Sequence, residues 1–210
     1  MRFLLLLLFF PVSKVCFSQK YFEGEILYRL QSFSKDSSFD LNSLRAAGAT
    51  KSICIIKDGN MILKPDSGTL QYLFFSRIDN KVYSKYDWTD TLFYQPGDRL
   101  LASQDSVYTT EIKYNTDTLL GYVCNRFILR SASLTLTIIY SPNLVVDPTW
   151  FTETKYSYYN VIYGQTHSLL LKSIAEFGRF VSILSADQVV PRKVSNNEFP
   201  NVGLHPKALY

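Results

Sequence analysis

Two glutamates near the start of the chain, Glu23 and Glu25, are spaced so that both carboxylates fall on one face of a strand, close enough for paired acid–base work. The same spacing also suits two solvated residues on an exposed face. The chain has only two histidines, His167 and His205, and neither sits in a nucleophile–base–orienter pattern; no G-x-S-x-G is present. His167 follows Gly164 at the start of a predicted strand, and His205 lies in a C-terminal stretch predicted to be a loose tail from about residue 200. Two distant histidines and scattered cysteines do not make a zinc spacing. Asp36, Asp40, Asp87, Asp90 and Asp105 stand in turn-like contexts that could hold calcium loosely, but none belongs to an EF-hand pattern. Nine glycines are spread out, and no phosphate-cradling G-x-x-x-x-G-K occurs. These residues give no catalytic constellation, no metal and no cofactor; an extracellular hydrolase remains open only if a cleft gathers Glu23, Glu25 or His167.

The elements that would position these residues are mostly strands. Phe22, Ile26, Tyr28 and Leu30 share one face of an early strand, with Glu23, Glu25 and Arg29 on the other. Ser52–Lys57 and Asn60–Lys64 flank Asp58-Gly59, a two-residue hairpin signal in which both positions need positive φ. Further strands are predicted over residues 69–76, 81–86, 91–94, 107–114, 119–130, 134–140, 167–174, 179–185 and 189–194, with Asn115-Thr116-Asp117 and Ser141-Pro142-Asn143 as turns. Leu134, Leu136, Ile138 and Tyr140 form the cleanest alternation. Asp40 reads as the N-cap of a short helix over Leu41–Ala47 ended by Gly48, and residues 151–159 as a cap or loop. Turns every 8 to 12 residues are the mark of an antiparallel sandwich or barrel.

The first residues address the chain outside the cytoplasm. Arg2, an apolar run from Phe3 to Phe10, the breaker Pro11 and Cys16-Phe17-Ser18 before Gln19 form the anatomy of a secretory signal peptide cleaved near Ser18/Gln19. The apolar run is far short of the ~20 residues that cross a bilayer, and Lys14 just before Cys16 disfavours lipidation there. Domain boundaries follow as residues 1–18, signal, and 19–210, one β domain that does not span a membrane. Removing Arg2 and Lys14 with the signal leaves 20 basic against 18 acidic residues, a net +2, which excludes a nucleic-acid partner of the usual basic kind. Aromatic residues make up 15% and charged ones 19%, a balance that favours sheet. Two cysteines survive cleavage. Cys54 and Cys124 either form a disulfide, as suits an exported chain, or are small apolar residues within strands.

The remaining signal is apolar. Several strands carry bulky hydrophobes on both faces: Ile53–Ile56, Leu73-Phe74-Phe75 and Leu169-Leu170-Leu171. A curled sheet of about ten strands is wide enough to hold an apolar cavity, or to be filled solid as an ordinary core.

Phe22-x-Gly24-x-Ile26-x-Tyr28, then Leu120-Gly121-Tyr122-x-Cys124, Ile139-Tyr140-Ser141 and Val146-Asp147-Pro148-x-x-Phe151 occur in an order that resembles the GLPGLI and DUF4412-type exported proteins of Bacteroidota. These in turn resemble the periplasmic lipoprotein carriers of the LolA and LppX type. The resemblance implies a mainly β fold, a curved antiparallel sheet forming an incomplete, half-open barrel of about eleven strands, with one to three short helices as plug or lid. The Asp40-capped helix over Leu41–Ala47 would be a candidate lid or plug. It further implies a periplasmic or secreted Gram-negative protein that shields a lipid or lipoprotein acyl chain, without catalysis. Ile26, Tyr28, Leu134, Leu136 and Ile138 are the candidate cavity-lining residues. The alternative is a structural or interaction protein of the cell envelope with a filled core, presenting Trp88, Tyr156, Tyr158 and Tyr159 to partner proteins.

Overall fold

The computed structural model describes residues 21–36 and 49–210. The proposed signal peptide and the Asp40-capped helix over Leu41–Ala47 lie outside the described residues. Twelve strands form one sheet: β1 (Gly24–Ser34), β2 (Lys51–Lys57), β3 (Asn60–Pro65), β4 (Leu70–Ser76), β5 (Lys81–Tyr86), β6 (Leu92–Pro96), β7 (Tyr108–Leu119), β8 (Tyr122–Ser131), β9 (Leu134–Val145), β10 (Ser168–Phe177), β11 (Phe180–Pro191) and β12 (Lys207–Leu209). Their order is β12-β6-β5-β4-β3-β2-β1-β11-β10-β9-β8-β7. The chain is therefore two up-and-down meanders, β1 to β6 and β7 to β11, joined along one seam where β1 pairs antiparallel with β11 from Gly24↔Pro191 to Ser34↔Phe180. Only β12, parallel to β6, departs from antiparallel pairing. The sheet ends at β12 and β7 without closing, the expected half-open barrel.

Local chemistry explains the joints. Asp58 and Gly59 take φ of 49° and 81°, the paired left-handed geometry that the β2–β3 hairpin needs. Gly24 has φ 152°, and a Cβ there would meet the Val190 carbonyl oxygen at 2.3 Å, so the seam requires glycine at its first pair. Three corrections to the sequence reading concern continuity. Asn115, at φ 54°, is a bulge inside β7 rather than a turn, and the hairpin bends instead at Leu120-Gly121, φ 51° and 80°. β9 runs through Ser141-Pro142-Asn143 with a register shift against β10. Residues 180–191 are one strand, its break absorbed by a bulge at Asp187 opposite Leu27/Tyr28.

Between β9 and β10 the chain makes 3-10 turns at Pro148–Phe151 and Tyr156–Tyr158 and then helix α1 (Tyr159–Thr166). The sequence reading assigned this stretch no helix. Its amphipathic signal is short, eight residues, and interrupted by Gly164. Three apolar clusters hold the molecule. The largest joins Ile26, Tyr28, Ile56 and Phe75 to Phe151 and Tyr163 beneath α1. A second packs Phe127, Leu129, Leu134, Leu136, Ile138 and Tyr140 against Tyr158 and Ile162. A third holds Ile55, Ile62, Phe74, Tyr83 and Leu92, the opposite-parity residues of the first meander, under Val194 and Phe199 of the C-terminal segment. That segment is thus docked on the sheet from Arg192 onward and, with β12, is not a loose tail.

Candidate functional site

The first meander curls beneath α1 and leaves a cavity of about 110 Å³. Seven strands supply its wall. Tyr28 comes from β1, Cys54 and Ile56 from β2, Met61 and Leu63 from β3, Leu73 and Phe75 from β4, and Val82 from β5. Leu169 and Leu170 of β10, Leu184 of β11, and Tyr159 and Tyr163 of α1 complete it. Among the described residues no charged side chain lines it. Curvature is pinned across the seam by the Tyr28 hydroxyl, which donates to the Leu170 carbonyl at 2.7 Å, bridging β1 to β10 over β11.

Four titratable groups face this region, and all are held neutral. Burial pushes the phenols of Tyr28, Tyr159 and Tyr163 upward, and the Cys54 thiol up to about 12. The Tyr163 hydroxyl donates to the Met61 sulfur at 3.7 Å. Neutral phenols and a protonated thiol provide no base and no nucleophile at neutral pH. The cavity presents a mainly apolar surface.

The wall formed by α1 is an aromatic block. Phe151 stacks on Tyr163 at 4.1 Å between centroids, and Tyr159 meets Phe75, Phe151, Tyr156 and Tyr163 edge-on. The helix is entered through Ser157 and Tyr158, at φ 51° and 59°, and left through His167, at φ 53°. Left-handed backbone costs such residues roughly 1–2 kcal/mol each. It is held by Gln104, whose Oε1 accepts from Ser157 N at 2.9 Å, and by the Tyr158 hydroxyl, which donates to Asp105 O at 3.0 Å.

Beside the cavity lies a recess of about 430 Å³ that shares Leu63 and Leu184 with it and is lined further by Leu30, Lys51, Ser52, Ser67 and Ser182. Asp66 fixes the edge of this recess: its carboxylate accepts from Thr50 N and Lys51 N, both at 3.1 Å. The Lys51 amide is the largest influence drawing the Asp66 pKa below the usual carboxylate range.

Of the five candidate lining residues, Tyr28 alone is on the cavity wall. Ile26 is fully buried in the packed cluster beside it. Leu134, Leu136 and Ile138 belong to the second meander, where Tyr158 and Ile162 fill their concave side. Cys54 and Cys124 are free thiols with four strands between theirs, so they act as apolar strand residues. Glu23 and Glu25 do not form an acid–base pair. Glu23 accepts from Val194 N at 2.6 Å, and Glu25 pairs with Arg192 at 2.9 Å. His167 bonds Gly164 O at the end of α1. Asp36 pairs with Arg179 and Asp90 with Lys85, while Asp105 accepts from Ser133. Among the described residues no group of three or more His, Cys, Asp or Glu could hold a metal. Of the four aromatics suggested as contact points, Trp88 is exposed, whereas Tyr158 is buried and Tyr159 faces the cavity. Sequence reasoning missed α1 as the lid; the run of Phe151, Tyr156, Tyr158, Tyr159 and Tyr163 was the available signal.

No protein-family model matches the chain, and no curated protein does. Two solved structures of PNGF-II are similar to it at 16% identity, with TM-scores of 0.48 in the C2 crystal form and 0.45 in the P21 form. Each alignment covers 89% of this chain, but 30% and 31% of the PNGF-II chains, so this chain spans less than a third of their length.

Proposed function

We propose that this chain is an exported, non-catalytic protein that binds a hydrophobic ligand in the cavity between the first meander and α1. One observation supports this reading above the rest: a wall drawn from seven strands and a helix, with no charged side chain in it among the described residues. Transfer of apolar surface into such a site is favourable at about 0.8 kcal/mol per methylene. The inner space alone is smaller than the ~300–1,000 Å³ of ordinary ligand sites, and a ligand that also occupied the adjoining recess, across Leu63 and Leu184, would have a site within that range. An acyl end fits this shape, with its tip under Tyr159 and Tyr163 and the rest of the chain leaving past the serines of the recess. The leader-like residues 1–18 support a periplasmic or secreted setting, where an acyl chain needs shielding from water. The motif order, which resembles that of GLPGLI and DUF4412-type exported proteins and through them the lipoprotein carriers, supports the same reading.

The test is native mass spectrometry and solvent extraction of protein purified from its own cell envelope. We expect co-purified lipid, and expect Leu184→Trp, which fills the junction of cavity and recess, to remove it while leaving the circular dichroism spectrum unchanged. A chain that carries no lipid and takes up no added fatty acid or phospholipid would refute the reading.

A further inference from the structure

A second set of aromatic side chains lies away from the cavity wall. Tyr86 closes β5, Phe93 lies in β6, Trp88 sits in the loop between them, and Tyr210 follows β12. Cross-strand register puts Phe93 opposite Ser84 on the parity of Val82 and Phe75, the concave face. Trp88 stacks on Tyr86 at 5.6 Å and leans on Phe93 at 5.9 Å; Phe93 meets Tyr210 edge-on at 6.1 Å. Trp88 is nonetheless 65% exposed and Tyr210 68%. One side of the indole is backed by Tyr86, and much of its remaining surface is in water.

The polar groups around these rings narrow the ligand chemistry. The Tyr210 phenol lies near the Tyr86 phenol, and burial first, then that neighbour, pushes the Tyr86 pKa up. Asp87 and Asp90 flank Trp88 in the sequence and are exposed, Asp90 lying 3.7 Å from the Lys85 ammonium. Among the described residues, the cation–π contacts fall on Trp150 and Tyr94, not on these rings. Carboxylates beside exposed rings disfavour an anionic lipid surface or a nucleic acid. A neutral polyhydroxylated ring suits both features. Its weakly positive C–H face lies on the electron-rich face of an indole, and its hydroxyls donate to phenol oxygens and carboxylates.

We propose that Trp88, backed by Tyr86 and Phe93 and flanked by Tyr210, Asp87 and Asp90, is a binding site for a neutral oligosaccharide. The site is separate from the apolar cavity and does not depend on what that cavity holds.

The experiment is calorimetric titration of the full mature chain with cellohexaose, xylohexaose, mannohexaose and chitohexaose, and with phosphatidylethanolamine–phosphatidylglycerol vesicles. At least one sugar is expected to bind saturably in the micromolar to millimolar range, while the vesicles do not. Trp88→Leu, which keeps apolar bulk but removes the π face, should weaken that binding at least about tenfold, whereas Trp88→Tyr should stay within about threefold. Tyr210→Ala, at the other end of the cluster, should weaken it as well, so the result does not hang on one position. The proposal is overturned if all four sugars fail to bind, if Trp88→Leu binds as wild type does, or if the vesicles bind and the sugars do not.

Discussion

Glu23 and Glu25 show how a pair that looks reactive in sequence becomes structural in space. Their spacing places both carboxylates near the seam, and there each engages the segment that leaves β11. Arg192 bridges Glu25 at 2.9 Å and Glu198 at 2.6 Å, and Glu198 also accepts from Ser195 N at 2.9 Å. Arg192, and then the Ser195 amide, hold the Glu198 pKa down to about 2. A carboxylate depressed in the folded state contributes stability that is full above its ordinary value and lost as protons return. Hydrogen exchange over residues 192–198 should therefore lose protection as the pH falls from about 4.5 towards about 2, and Glu198→Gln should flatten that dependence. Unchanged protection across this window would count against the staple. Nothing at positions 23 and 25 alone distinguishes these roles, because the partners are 167 and 171 residues away. The cysteines were equally ambiguous: alternating apolar neighbours suit a disulfide and a buried thiol alike, and pairing depends on which strands become neighbours.

At the scale of elements, strand existence was legible and strand continuity was not. Alternation located every strand of the first meander from β1 to β6, and Asp58-Gly59 announced its turn by chemistry. The β7–β8 hairpin misled because its turn uses Leu120, an unfavourable residue at φ 51°, while the turn-like Asn115 is spent on a bulge. Relief of that backbone strain is measurable: Leu120→Asn should raise the unfolding free energy by about 1 kcal/mol in urea titrations, since Leu120 is 46% exposed and gives up little packing. A loss of stability would show that its side chain matters more than its backbone. Helix α1 escaped notice because eight residues carry too little periodicity. Its position follows instead from tertiary stacking of Phe151 on Tyr163. The cavity was legible as a class of site, an apolar hollow in a curled sheet, but its address was not. The best-alternating strand, β9, packs against Tyr158 and Ile162 and so lines filled core.

For the whole molecule, the open sheet leaves two margins, and they are protected differently. β7 carries Glu111 in ion pairs with both Lys113 and Arg130, and bulges at Asn115, both features that discourage a further strand from docking. β6 is covered by β12 of its own chain, with Leu92 N donating to Pro206 O at 2.8 Å and Tyr210 N to Tyr94 O at 3.0 Å. Removing residues 206–210 bares that margin. Light scattering should then report concentration-dependent association that the full chain lacks; a truncated protein that stays monomeric would show that β6 needs no cover.

Each meander forms from neighbours in sequence, but the two are sewn together by strands whose first pair, Gly24 and Pro191, lies at opposite ends of the described chain. Loop closure over that distance is the slow and entropically expensive contact of this topology. A chain still being synthesised has β1 but not β11, so it stays unlatched until almost the last strand is delivered. Tyr28 and Leu184 face the same hollow from the two sides of that join. The proposed ligand, seated between them, would add a further latch and slow the parting of the two halves.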